Sequence, residues 1–248
     1  MVVWIILPIA LSLVSFIGTW SIYGLAFSNK HVCSLSDWGG ENFCTGNHSA
    51  GCCRVPTISS SGTSTPENSL FTAVINAASF LFLVFCIFHH AHVMEKHACH
   101  SMLSKFALVF GVVSSIGAFA AGNCNPGYLS LLHYFGAATS FICVCLYTIL
   151  LTMLTGKCVL TGYERALYLF RITSTVIQAI VTLCYLVLFP QNVYFYVHLA
   201  AIFEWMISVN LELFELSYIV EFYFFSSFML SNLLNKRDEE KPLMMVMP

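Results

Sequence analysis

Charge is what this chain has least of. Only 9% of its 248 residues are Asp, Glu, Lys or Arg, while 58% are hydrophobic. Soluble domains carry about 25% charged residues, so too little polar surface exists to clad a water-soluble fold of this length. The net charge of −2 offers no electrostatic footprint for nucleic acid, and no such partner is expected. Enzyme signatures are missing as well: no G-x-S-x-G, H-E-x-x-H, Walker loop or G-x-G-x-x-G occurs. Neither catalytic residues nor a cofactor are expected. Of seven prolines only Pro8 falls inside an apolar run, near its start, and no internal repeat is visible. The broken helices and inverted repeats that mark transport pathways are therefore not part of this pattern.

What is present is continuous apolar sequence. Six runs, at about 2–27, 70–89, 106–122, 129–154, 166–189 and 195–222, have roughly the length that a ~30 Å hydrocarbon core requires. The third, 17 residues over 106–122, is short and would thin the bilayer or stand upright. Continuous rather than alternating runs argue against strands. The fold expected is an all-α integral membrane protein, a six-span helical bundle over residues 1–228 with a short tail over 229–248. The first run lacks a basic n-region and exceeds the 7–15 apolar residues of a signal peptide, so it is read as a retained span.

The basic residues set the orientation. Lys96, Lys105, Lys157, Arg165, Lys236, Arg237 and Lys241 lie on one side, seven against Lys30 and Arg54 on the other. The positive-inside rule then places both termini in the cytosol and the 28–69 loop outside or in a lumen. That loop holds Cys33, Cys44, Cys52 and Cys53, candidates for disulfides in an oxidising compartment. It also holds the acceptor Asn47-His48-Ser49, a glycosylation site at Asn47. Four cysteines allow three pairings, and the reading of the residues leaves them open.

The segment HHAHVMEKHACH, residues 89–100, could by composition bind zinc or copper. No pair has zinc-finger spacing, so no metal site is expected, and a polar juxtamembrane linker is the plainer reading. Cys99 and Cys158 are juxtamembrane thiols open to palmitoylation. Gly111, Ser115, Ala118 and Gly122 form a small-residue stripe that admits a neighbouring helix, as do Gly136 and Ser140.

Polar groups inside the spans are costly and usually face the bundle interior. The run IFEWMISVNLELFEL, residues 202–216, carries three glutamates in apolar surroundings. By depth, Asn76, Asn123, His133, His198 and Glu204 converge on one outer layer. Arg171 and Glu215 lie at matching inner depths and are expected to pair, with Glu221 or Glu212 as substitutes. Glu204 and Glu215 are 11 residues apart, about 20° around a helix, and so share a face. Three readings of this seam stay open: a structural polar network, an ion or proton pathway, or a lipid headgroup site.

Four stretches in order resemble the DRAM / transmembrane protein 150 family of six-span proteins, most of all its 150A branch. They are the opening WIILPIALSLVSFIGTWSIYGLAFSNKHVCSLSDW, VPTISSSGTSTPENSLFTAVINAASF, GNCNPGYLSLLHYFGA and the pair Glu204-Trp205. The second is similar to the family's P-x-I-S-x-x-G-x-x-x-P-E pattern. The positions carried over are Pro56, Ile58, Ser59, Gly62, Pro66, Glu67, Phe71, Asn76, Gly122, Asn123, His133, Gly136, Glu204 and Trp205. Ser61 and Ser69 stand where the family commonly has cysteine, and Asn125 where it has glutamine. The resemblance implies regulation rather than catalysis. For the 150A branch it implies a cytosolic phosphatidylinositol 4-kinase complex at the plasma membrane as partner, beside membrane lipids. For the DRAM branch it implies autophagy modulation on endolysosomal membranes, and for a third branch a channel or channel accessory role.

Overall fold

The computed structural model describes residues 2–36, 55–96, 100–158, 161–191 and 193–225. Among these residues it is all helical. After a 3-10 turn at Val2–Ile5 come α1 (Ile6–Ser28), the short α2 (Ile58–Ser61), α3 (Glu67–Lys96), α4 (Ser101–Asn123), α5 (Ser130–Lys157), α6 (Glu164–Leu188), α7 (Tyr194–Leu216) and α8 (Ile219–Tyr223). Six of these are long and apolar enough to cross a membrane, which makes the chain a multi-pass membrane protein.

Helix ends follow local chemistry. Pro8 sits in the first turn of α1, where its missing N–H costs no intrahelical bond. Lys30 adopts a left-handed φ of 62° just past that helix, and the His31 N–H returns to the Ala26 carbonyl at 2.9 Å. Glu164 opens α6 by accepting from the N–H groups of Thr161 and of Gly162, the latter at 2.8 Å. Two helices outrun their apolar segments. The third span is 23 residues rather than 17, because its helix runs on through Ser104 and Lys105. The second continues past His89 to Lys96, which turns His89, His90 and His92 from linker into helix.

The six long helices form a closed ring in which consecutive spans are neighbours and α7 returns to α1. The interior of the ring is filled. Phe85, Tyr147, Phe214, Tyr218 and Phe222 are buried there, with Phe85 edge-on to Tyr218 at 5.5 Å between ring centroids. Lipid is as apolar as these side chains, so close packing and polar contacts must hold the helices together.

Between α4 and α5 backbone meets backbone. A methyl built on Gly117 would lie 2.7 Å from the Gly136 carbonyl and 2.8 Å from the Ser140 nitrogen. Ser114 and Ser140 bond across the same seam, hydroxyl to hydroxyl at 3.2 Å. The stripe read from sequence serves another neighbour: Gly111 faces Cys86 and Gly122 faces Ile75, both on α3. Thus α4 has two small-residue faces. Backbone atoms cannot swing aside, so Gly117→Ala is expected to cost about 1–3 kcal/mol by overpacking. Gly24, with nothing within 4 Å, should accept alanine within about 0.5 kcal/mol. Unfolding midpoints of both variants in one detergent check the contrast.

Candidate functional site

Two polar clusters cap the bundle, one at the terminal face, where α1 begins and α8 ends, and one at the face where α2 lies. At the terminal face Arg171 of α6 is 0% exposed. Its Nη1 and Nη2 meet Glu221 Oε1 and Oε2 at 2.5 and 2.7 Å. Nη1 also donates to Thr155 Oγ1 at 2.8 Å, Nη2 to the Ser217 carbonyl at 2.9 Å, and Nε to Ser217 Oγ at 2.9 Å. All five N–H groups of the guanidinium are thereby used. Its carbon stands 3.5 Å over the Tyr218 ring, a cation–π contact that desolvation strengthens.

The expected Arg171–Glu215 pair is therefore not formed, and Glu221 takes its place. The helix stops at Leu216 and restarts at Ile219. Ser217 and Glu221, four residues apart, fall on the side facing α6. Glu215 is about 200° round from Ser217 at 100° per residue and is buried elsewhere. Its neighbour Glu212 accepts from Ser208 at 3.1 Å, and the Glu212 carbonyl accepts from Ser12 of α1 at 3.1 Å.

At the loop face, α7 holds the segment before α3. Glu204 Oε1 accepts from Ser59 Oγ at 3.0 Å and from the Ser59 N–H at 3.3 Å. Trp205 Nε1 donates to the Pro56 carbonyl at 3.0 Å. His198 Nδ1 accepts from the Val55 N–H at 3.2 Å, which puts the proton of a neutral ring on Nε2. Val55, Ile58 and Ser61 are buried under these tethers, and Thr57 caps α2 by accepting from the Ser60 N–H.

The five outer residues do not join into one network. Asn76 and Asn123 exchange side-chain amide bonds at 2.7 and 3.2 Å, linking α3 to α4. His133 donates from Nδ1 to the carbonyls of Ala121 and Cys124 at 2.8 and 2.9 Å, closing the end of α4. His198 and Glu204 act together on residues 55–59. The physical reason is that helix ends and a buried loop leave backbone groups unbonded. His133, His198 and Glu204 answer those groups, while Asn76 and Asn123 answer chiefly each other.

Sequence reading passed over a polar stripe on α6. Ser174, Thr175, Gln178 and Thr182, all buried with Arg171, recur at steps of three and four, the signal of one helix face. Asn210 of α7 donates to Gln178 at 2.6 Å, and Thr175 meets Thr152 of α5 at 2.8 Å. It also passed over the partners of Glu67, which accepts from Asn29 at 2.6 Å and lies 3.0 Å from His31 Nδ1. No group of three or more metal-ligating side chains is found among the described residues; His90 instead bonds Ser104 at 2.7 Å. Cys158 is buried, which withholds its thiol from acylation. Cys33 is described and buried, while Cys44, Asn47, Cys52, Cys53, His97 and Cys99 lie outside the described residues.

Residues from three of the four stretches that resemble a family thus touch one another at the loop face: Pro56 and Ser59 with Glu204 and Trp205, Asn76 with Asn123. Comparison with known proteins agrees. Residues 3–225 match the family model described as the Frag1/DRAM/Sfk1/Cwh43P N-terminal domain. Transmembrane protein 150A of Xenopus laevis is 32% identical over 227 residues, covering 88% of this chain and 83% of that protein. Transmembrane protein 150A of Homo sapiens is 28% identical over 230 residues, covering 90% and 84%. Modulator of macroautophagy TMEM150B of Xenopus tropicalis is 27% identical over 152 residues, 61% and 58%. No solved structure matches the chain.

Proposed function

The chain belongs to the Frag1/DRAM/Sfk1/Cwh43P family, and from that premise we propose that it is a non-enzymatic membrane regulator that helps recruit or tune a cytosolic phosphatidylinositol 4-kinase complex at the plasma membrane. The observation that carries this reading is the near full-length similarity to transmembrane protein 150A, 88–90% of the chain, against 61% for the macroautophagy modulator. The interior supports regulation over conduction, since Phe85, Tyr147 and Tyr218 fill the ring and Arg171 is spent on Glu221. In this reading both termini are cytosolic. The long loop is extracellular, with Cys33, Cys44, Cys52 and Cys53 in disulfides and a glycan on Asn47.

Depletion of the chain is expected to lower kinase-complex signal at the plasma membrane, with recovery on re-expression. Unchanged kinase recruitment with altered autophagosome turnover would favour the second reading, an autophagy modulator on endolysosomal membranes, which the name of the 61% relative supports.

A further inference from the structure

A groove of about 470 Å³ opens between α5 and α6 at the terminal face, lined in part by Lys157, Arg165, Gly156 and Tyr168. We propose that it binds the phosphate of an anionic membrane phospholipid, with the lipid's hydrocarbon lying on the bilayer side of the same groove.

The cations come first. Lys157 ends α5 and Arg165 is the second residue of α6, and both are exposed. Neither is ion-paired to a carboxylate among the described residues. Arg171, lower on α6, cannot contribute, because all five of its N–H groups are used inside the bundle. Glu164 also lines the groove, and its carboxylate opposes an anion. That carboxylate is committed to the turn, accepting from Gly162 N–H at 2.8 Å and Thr161 Oγ1 at 3.2 Å. The positive end of α6 is therefore already answered by Glu164, and the two basic side chains must hold the ligand. A guanidinium presents paired donors that fit phosphate oxygens, and a lysine adds a compact charge beside it.

Shape decides the rest of the ligand. Gly156 has no side chain, and a methyl there would meet the Tyr168 ring at 2.8 Å, so the glycine keeps the groove open beside that ring. One turn below Lys157, Met153 is 42% exposed and lines the same groove. Four residues along from Arg165, Leu169 is 60% exposed. The site thus offers cations at its rim and apolar surface toward the bilayer, which suits a lipid and not a free ion. A choline headgroup would bring its own cation against Lys157 and Arg165, so a headgroup of net negative charge is preferred.

Native mass spectrometry of the full chain in detergent, titrated with phosphatidylserine and with phosphatidylcholine, tests the proposal. Wild type should retain phosphatidylserine preferentially. Lys157→Ala with Arg165→Ala should reduce that preference by about fivefold per basic residue at an unchanged melting temperature. Glu164→Gln keeps the oxygen acceptor for the turn but removes the charge, and should raise the preference. Millimolar inorganic phosphate should not displace the lipid. A double variant with wild-type preference, or displacement by inorganic phosphate, overturns the assignment. If the double variant does not fold, Glu164→Gln decides it, an unchanged or lowered preference being the refuting result. Kinase recruitment is a separate readout, so failure of the lipid site leaves the regulatory reading standing.

Discussion

Arg171→Ala is expected to destabilise the protein by about 3–5 kcal/mol, the cost of stranding one member of a buried ion pair. Glu221 is 2% exposed, so without the guanidinium it becomes a lone carboxylate in the bundle. The Ser217 carbonyl and Thr155 hydroxyl lose donors as well. Glu221→Gln should cost a similar amount, because it leaves the buried Arg171 charge without a counterion and sets an amide NH2 against a guanidinium N–H. Replacing both Arg171 and Glu221 with methionine should recover most of the loss, since the interaction and its desolvation cost leave together. The partner assignment is checked by a double-mutant cycle in denaturant. Arg171 should couple to Glu221 by more than about 1 kcal/mol and to Glu215 by less than about 0.5 kcal/mol. A larger coupling to Glu215 would contradict the geometry. The same pair ties α6 to α8, so Arg171→Ala should also loosen residues 219–225, visible as faster amide exchange there.

Why the sequence pointed to Glu215 is instructive. Depth along a straight sixth helix does match Glu215 with Arg171, but residues 217–218 interrupt that helix, and hydropathy does not register Ser-Tyr within an apolar run. Existence and number of the spans were legible because apolar length is a composition signal. Their ends were not, since α3 carries His90 and His92 past its apolar stretch and α4 begins at Ser101. The small residues of α4 were legible as a packing device, yet Gly117, which meets backbone rather than side chain, fell outside the stripe. Pattern gives spacing within one helix and not which neighbour each face meets. The α6 polar stripe was readable in principle, at steps of three and four from Arg171 to Thr182. The five outer residues were expected to gather in one layer, whereas the structure divides them among separate tethers, because a sequence shows side chains and hides the unbonded backbone groups that His133, His198 and Glu204 serve.

Glu204 makes that last point testable. Its carboxylate takes two hydrogen bonds from Ser59, and Trp205 holds the carbonyl of Pro56, three residues earlier. Residues 55–61 are therefore seated on α7 by adjacent side chains. Hydrogen bonds to a charged group contribute about 1.5–3 kcal/mol, and a neutral one about 1 kcal/mol. Glu204→Ala is accordingly expected to release the segment at a cost near 2–3 kcal/mol, and Trp205→Phe at about 1 kcal/mol. If release is local, amide exchange at Ser59 and Ser60 should quicken by about 30-fold or more in Glu204→Ala, while α4 and α5 keep their protection. Uniform loss of protection would mean that Glu204 supports the whole bundle. Unchanged exchange would mean that the carboxylate does not hold the segment. Asn76→Ala offers the contrast, because its bonds run to Asn123 on α4 and not to residues 55–61. Coupling between Asn76→Ala and Glu204→Ala should be near zero if the layer is several tethers. A coupling above about 1 kcal/mol would restore the single network.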